Sequence, residues 1–492
     1  MKFLLGLLIV CIVFVHIFSL ETLPRGLFLD EYSIGLNAAS MNASGTDEFG
    51  TPFPVYFKAF GEYKNPVYIY AASLVFKIGG VSDYNLRLTS ALFFLVGFFF
   101  FLGFLQRQCK NVKITFIGGC MYAFLPLFFT ISRVSFEVIS HVSIMSIFLF
   151  LLTYLFQKKI CFTSILLHLF SGFIFGLTLY SYTTARLLTP LFFLVLFFLY
   201  FRKGQILHFL SFLLATTITF IPFLIIWYHD PAIVLTRFSE ISFLYDGGSL
   251  WDHVQIFFQN LKSYFSPDFL LLHGDPNLRH HSGFMGAIPL TIFLLSMTGI
   301  IGSMFIKDLR SKIGVLIMSI LIFTPIAAAS TESNHALRVA IIGLPFIYFA
   351  ILGFQTLAKS KKYKYVLITI AVMGLFTESG LYIQNWFTIY PTKTVQAFGT
   401  LGANEIATYG ISKNIHAFFI SDQIPKAETL AKYYAYKYKS ATFIVVKTEN
   451  IIIANNKFCL MTTLSEKEIR NNPNLKIVPF PPSSKIIGAC HE

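Results

Sequence analysis

Charge is what this sequence has least of. Asp, Glu, Lys and Arg make up only 13% of its 492 residues, about half the share of an ordinary soluble chain. Acidic residues are the scarcer kind, 24 against 38 basic ones. That scarcity, with a mean hydropathy of +0.68, excludes a conventional water-soluble enzyme. The formal charge of +14 would suit a nucleic-acid binder, but the cations sit in short clusters between apolar runs, with no basic stripe interleaved with aromatics. Nucleic acid is excluded as a partner. A glycine-rich cradle for a soluble nucleotide is also lacking, as are internal repeats and the inverted two-half symmetry of many transporters. The first apolar segment is followed by Phe18-Ser19-Leu20-Glu21, which has no small residues for a cleavage site, and Val10-Cys11 lacks the small residue expected before a lipidated cysteine. That segment is read as an uncleaved helix. Of only six cysteines, Cys11, Cys109, Cys120 and Cys161 fall in apolar segments or beside basic loops and read as small buried or cytoplasmic thiols.

What is present is long apolar runs, near 3–20, 88–105, 114–131, 137–156, 163–182, 187–201, 207–227, 286–305, 313–329, 339–357 and 365–383. A run of about 18 to 20 such residues crosses a ~30 Å hydrocarbon core as a helix. The expected fold class is therefore mainly α, a polytopic membrane protein of about eleven transmembrane helices. Alternate connections are short and basic: Arg107/Lys110/Lys113, Lys158/Lys159, Arg202/Lys203, Lys307/Arg310/Lys312 and Lys359/Lys361/Lys362/Lys364. By the positive-inside rule these are cytoplasmic, as is Lys2. The expected location is the plasma (inner) membrane, with the N-terminus cytoplasmic and the C-terminus extracytoplasmic. Residues 1–384 form the transmembrane domain, with outer loops at 21–87 and 228–285. Residues 385–492 alternate strand-like runs (His416–Ile420, Thr442–Lys447, Ile451–Ala454, Lys476–Pro479) with a helix-like Ala427–Tyr436, and read as a small extracytoplasmic α/β domain. Cys459 and Cys490 are the cysteines this topology places outside, where a disulfide is permitted, and they are expected to pair.

The outer face also holds the residues that suit chemistry. Asp30-Glu31 follows the first helix, either as a capping pair for the helix-like Tyr32–Met41 or as a reactive carboxylate. Arg87, Arg133, Arg186 and Arg338 all lie on the outer side near the N-terminal ends of helices, where both topology and the helix dipole disfavour cations. Four such arginines suggest a bound anion, and a phosphate at the membrane surface points to a lipid-linked phosphate. Arg133, Arg186 and Arg338, with Lys64, are expected to converge on one outer cavity. His273, His280 and His281 read as loop histidines, because their spacing and the lack of nearby cysteines do not make a metal site. His335 shares a short loop with Arg338 and is a candidate for lining the site. Asn42-Ala43-Ser44 fits a glycosylation sequon, a triplet that also arises by chance.

Asp30-Glu31, Gly61-Glu62-Tyr63-Lys64-Asn65-Pro66, Tyr180-Ser181-Tyr182-Thr183-Thr184-Ala185-Arg186 and Thr331-Glu332-Ser333-Asn334-His335-Ala336-Leu337-Arg338 together resemble the membrane glycosyltransferases of the GT-C type, in particular bacterial relatives of protein O-mannosyltransferases and of the lipid A aminoarabinose transferase. The resemblance covers about residues 1–385. It implies transfer of a sugar from a polyprenyl-phosphate donor to an acceptor glycan, lipid or protein outside the membrane, with inversion. It also implies that Asp30 activates the acceptor hydroxyl, Lys64 holds the lipid phosphate, and Glu62 aligns sugar or acceptor. Arg87, Arg133, Tyr182, Arg186, His335 and Arg338 would bind phosphate or sugar, with Glu31 in support. The aminoarabinose enzymes carry an adjacent Glu-Lys-Pro, whereas here Tyr63 and Asn65 are interposed. No cofactor is required by this reading, and assistance by a divalent cation stays open. Two other classes compete with it: a flippase or transporter of lipid-linked sugars, and a polysaccharide polymerase or ligase. Charges crowded at the outer helix ends, rather than along the spans, favour an interfacial enzyme.

Overall fold

The computed structural model describes residues 2–155, 161–201, 206–305, 311–360, 362–395, 397–400, 402–447, 457–463, 476–478 and 486–491. Each of the eleven apolar runs falls on a helix. Among the described residues, seven helices are long and apolar enough to cross a membrane by length and composition: Asp83–Cys109, Val138–Leu155, Phe162–Tyr180, Ile206–His229, Lys312–Ala329, Ala336–Ala358 and Lys364–Thr388. Four more runs form shorter apolar helices: Gly6–Ile17, Val112–Ala123, Ala185–Tyr200 and Leu290–Met304. The chain is thus a multi-pass membrane protein. Helices suit this setting because every backbone N–H and C=O is satisfied within the segment.

Three expectations shift. The run at 114–131 is not one helix: Val112–Ala123 ends, and a short turn Pro126–Phe129 follows. Pro126 has no N–H to donate, and Leu125 before it is extended (φ −67°, ψ 121°), as a residue preceding proline prefers. The last long helix continues to Thr388, past the expected domain boundary at 384. The first outer loop is itself structured, with helices Leu29–Ser44 and Pro66–Gly79 around a hairpin of β1 (Phe57–Ala59) and β2 (Glu62–Lys64). The basic positions Lys158/Lys159, Arg202/Lys203, Lys307/Arg310 and Lys361, and the strand expected at Ile451–Ala454, lie outside the described residues.

Close helix crossings use glycine. A Cβ on Gly299 would lie 1.8 Å from the Phe349 carbonyl oxygen, and one on Gly353 would lie 1.9 Å from that of Leu295. The helices Leu290–Phe305 and Gly343–Ala358 therefore touch backbone to backbone, the packing small residues allow in a membrane where lipid is as apolar as leucine.

The C-terminal domain holds a mixed sheet of β3 (Ala417–Ser421), β4 (Thr442–Val446), β5 (Phe458–Thr462), β6 (Lys476–Ile477) and β7 (Ile487–His491), in the order β4-β3-β5-β7-β6. β3 runs parallel to β4 and β5, whereas β7 is antiparallel to β5 and β6. Cys459 and Cys490 sit opposite each other on β5 and β7 and are joined as a disulfide. The domain is docked on the first outer loop. Tyr433 Oη (2.9 Å) and Lys437 Nζ (2.7 Å) both reach the buried Asp83 carboxylate. Tyr32 Oη donates to the Pro425 carbonyl, and Thr400 exchanges two hydrogen bonds with the Leu27 backbone.

Candidate functional site

The adjacent acids Asp30 and Glu31 open the helix Leu29–Ser44 and point to different surroundings. The Asp30 side chain is 39% exposed and faces a cavity of about 750 Å³. Glu31 is fully buried.

The hairpin brings the next residues. Its two-residue turn has positive φ at both Phe60 (57°) and Gly61 (93°), the left-handed pair that closes a tight antiparallel ribbon and that glycine adopts without strain. With strand alternation, Glu62 and Lys64 then fall on one face. The interposed Tyr63 therefore aligns the pair: Lys64 Nζ lies 3.5 Å from Glu62 Oε1 and 2.5 Å from Asp30 Oδ1. Arg237, on the helix Ala232–Ile241, extends the chain by reaching Glu62 Oε2 at 3.0 Å. Burial pushes the Asp30 carboxyl up, but Lys64, Arg237 and Arg279 outweigh it and hold it below the usual carboxylate value. Burial would lower Lys64, yet Asp30, Glu137 and Glu62 raise it, so it stays protonated.

The opposite wall comes from two loops. Glu332 Oε1 forms an ion pair with Arg338 Nη2 at 3.1 Å and lies 3.2 Å from His335 Nε2. His335 stacks on His280 with ring centres 4.5 Å apart. His280 Nδ1 meets Asp275 Oδ2 at 2.9 Å, and that carboxylate is oriented by the Ala336 N–H at 2.8 Å. Burial, aided by His280, Arg338 and Arg237, depresses His335 strongly, so its ring is neutral. One ligand atom each from Asp275, His280 and His335 lie within 4.8 Å of one another. Two imidazoles and a carboxylate form a donor set that suits a zinc-like divalent cation. His280 thus leaves the plain loop reading given to it. His273 keeps that reading, exposed and paired with Asp268, and His281 is buried outside the trio.

Of the residues expected at the site, Asp30, Glu62, Lys64, Tyr182, Arg186, His335 and Arg338 line this cavity. Buried Arg186 Nε and Arg338 Nη1 have no hydrogen-bond partner among the described residues and are left as donors for a ligand. Two expected members are not there. Arg87 is fully buried and spends its whole donor fork elsewhere: Nε (2.8 Å) and Nη2 (2.9 Å) on Glu31, Nη1 on the Leu20 and Pro24 carbonyls, and Nη2 also on Gly26. Arg133 donates to the carbonyls of Val15 and Phe18 and stacks on Trp386. Both cations satisfy backbone oxygens at and just after the end of the first helix, groups without an intrahelical partner. The expectation that Arg133 joins Lys64, Arg186 and Arg338 at one cavity is therefore corrected.

Sequence reasoning passed over Glu137, Arg237, Asp275 and Arg279, which also line the cavity. Arg237 lies within the helix Ala232–Ile241 and Arg279 in the loop ahead of Leu290, away from the helix N-termini that singled out Arg186 and Arg338, so that rule does not reach them.

Residues 63–228 match the model of the dolichyl-phosphate-mannose-protein mannosyltransferase family. No curated protein matches the chain. Among solved structures, ArnT from Cupriavidus metallidurans bound to undecaprenyl phosphate superposes with a TM-score of 0.58 at 12% identity, covering 100% of this chain and 98% of that one. Its apo state gives 0.56 at 11% identity. The archaeal oligosaccharyltransferase AglB from Archaeoglobus fulgidus, in complex with an inhibitory peptide and a dolichol-phosphate, gives 0.51 at 12% identity, covering 90% of this chain and 64% of that one. At such identities the likeness is one of fold, and the fold is that of the GT-C glycosyltransferases which the sequence motifs resemble.

Proposed function

We propose that the protein transfers a sugar from a polyprenyl-phosphate donor to an acceptor hydroxyl at the extracytoplasmic membrane surface, with inversion at the anomeric carbon. The observation that carries this reading is the charge chain Asp30–Lys64–Glu62–Arg237 in one cavity, facing the unpartnered guanidinium nitrogens of Arg186 and Arg338. A base beside a set of cations is what the reaction needs. Asp30 accepts the proton of the acceptor hydroxyl as its oxygen attacks the anomeric carbon. The bond to the lipid phosphate breaks, and the phosphate leaves with the electron pair. Fixed cations aimed at that developing charge supply the electrostatic stabilisation that usually dominates such steps. Lys64 would turn from Asp30 to the phosphate as the donor arrives, which frees the base. Glu62, held by Lys64 and Arg237, aligns sugar or acceptor. Tyr182, Arg186, His335 and Arg338 complete the binding wall.

Lipid phosphates bound to two proteins of this fold support the donor class. The orientation follows from the basic clusters: N-terminus cytoplasmic, the region beyond Thr388 outside, in the plasma membrane, across eleven spans. The Asp275–His280–His335 trio would hold a divalent cation on the wall carrying Arg338, where it would add positive charge, and no step above depends on it.

Purified protein given radiolabelled polyprenyl-phosphate sugar should transfer label to an acceptor hydroxyl. Label carried across a liposome without transfer would instead establish a flippase and sink this reading. A reporter fused after Thr388 should be active only outside the cytoplasm.

A further inference from the structure

Glu137 is a carboxylate of the cavity that the mechanism above leaves idle and that pairs directly with no cation among the described residues. It lies immediately before the helix Val138–Leu155, and both of its oxygens go to a single residue. Oε1 accepts the backbone N–H of Asn65 at 2.8 Å, and Oε2 accepts the side-chain Nδ2 at 2.7 Å. Asn65 directly follows Lys64 and caps the helix Pro66–Gly79. Its remaining amide oxygen accepts from Arg186 Nη2 at 3.1 Å. One residue thus joins Glu137 to two of the proposed phosphate-binding cations.

Burying a carboxylate against a neutral amide is costly, and a cap alone could use a hydroxyl or an amide. What a carboxylate adds is two parallel acceptors on a rigid plane, so it fixes the Asn65 backbone and amide together. We propose that Glu137 is a positioning residue for the transfer reaction, clamping Asn65 so that Lys64 and Arg186 present their cations to the same phosphate. This rests on the functional reading above.

The clamp is made by the ionised form, because both oxygens must accept. Burial pushes the Glu137 carboxyl up to about 7, against the downward pull of Lys64 and of the Asn65 hydrogen bonds and with a smaller push from Glu62. The clamp is therefore complete above that pH and is lost as pH falls through it. The other groups facing Glu137 are Lys64 and Glu62 on β2, Tyr56 ahead of β1, and Tyr182 and Arg186 at the turn into the helix Ala185–Phe201. Lys64, Tyr56 and Tyr182 are all raised and keep their protons across neutral pH.

The test measures binding of a polyprenyl-phosphate sugar, a phosphodiester whose charge is constant over this range, by the full-length protein in nanodiscs between about pH 5.5 and 8.5, with thermal unfolding as the control for fold. Wild type should bind more tightly as pH rises through about 7. Glu137→Gln should weaken binding about tenfold above that pH, the loss expected for one charge-assisted hydrogen bond, and should flatten the limb. Asn65→Ala should do the same, and the double variant should be no worse than either single one, since both break one linkage. Losses that multiply, or a limb that persists in folded Glu137→Gln, would overturn the inference. Should Glu137→Gln not fold, folded Asn65→Ala decides alone: loss of the limb supports the clamp, and wild-type binding with the limb intact refutes it. A wild-type protein that binds no polyprenyl-phosphate sugar would sink the functional reading instead.

Discussion

Asp30 and Glu31 are neighbours in sequence, each paired with one cation, and yet they have opposite fates. Glu31 sits in a closed lattice: the Arg87 fork on one side, and the Phe28 and Ser135 N–H groups on the other. Every donor and acceptor there is taken, and neither side chain reaches solvent. Asp30 has Lys64 alone within hydrogen-bond distance, and it opens on a cavity. One pair is sealed and the other can exchange partners. Charge by itself does not mark a functional group; spare bonding capacity and access do.

The comparison breaks most sharply at Arg87. Arg87→Ala would leave Glu31 charged and buried without its partner, which typically costs about 3–5 kcal/mol. Little folded protein should be recovered, as yield and thermal unfolding in detergent would show. A normally stable Arg87→Ala protein would erase the distinction between the pairs.

Asp30→Asn should leave fold and donor binding nearly intact while turnover falls by at least about 10²-fold, the lower end of what a positioned base supplies. Single-turnover transfer of labelled sugar is the measurement. Near-normal transfer in Asp30→Asn, with none in a folded Glu31→Gln protein, would assign the base to the wrong carboxylate.

Lys64→Ala should weaken donor binding by about 1.5–3 kcal/mol, the range for hydrogen bonds to charged groups. It also removes the main cation holding Asp30 down. A base must be ionised, so activity falls as pH drops through the Asp30 pKa. Without Lys64 that pKa rises, and the acid limb of the pH–rate profile should move to higher pH. A limb that stays in place would detach it from Asp30.

Arg237→Ala should do least to stability. Its side chain is 45% exposed, and ion pairs of that kind contribute about 0.2–1 kcal/mol. Unfolding should shift little while donor affinity drops measurably. An unchanged affinity would detach the Arg237–Glu62 pair from donor binding.

The sequence announced some of this architecture and concealed the rest, for physical reasons. Long apolar runs have few alternative structures, so each of the eleven runs falls on helix, seven of them long and apolar enough to span among the described residues, with a break at Pro126. Strand alternation at 62–64 likewise brings Glu62 and Lys64 together. β5 and β7 were missed as strands, because short, mostly buried strands show no alternation. Arg87 and Arg133 misled because their partners are backbone carbonyls far away in the chain, which no side-chain pattern advertises. Glu137 was invisible for a similar reason: its role depends on Asn65, a neutral residue far from it in sequence.

The ties that hold the helix Leu29–Ser44 bear on how the protein is made. That helix carries Asp30, but it is braced by Arg87 on Glu31, by the Tyr433 ring packed against Gly35 and by the Tyr32 hydrogen bond to the Pro425 carbonyl, while Thr400 grips the Leu27 backbone just ahead of it. A ribosome reaches residue 30 early and residues 400 to 437 late. Until the last of these has been translated, the helix that carries Asp30 lacks its C-terminal ties, so the far end of the chain sets when the fold around it is complete.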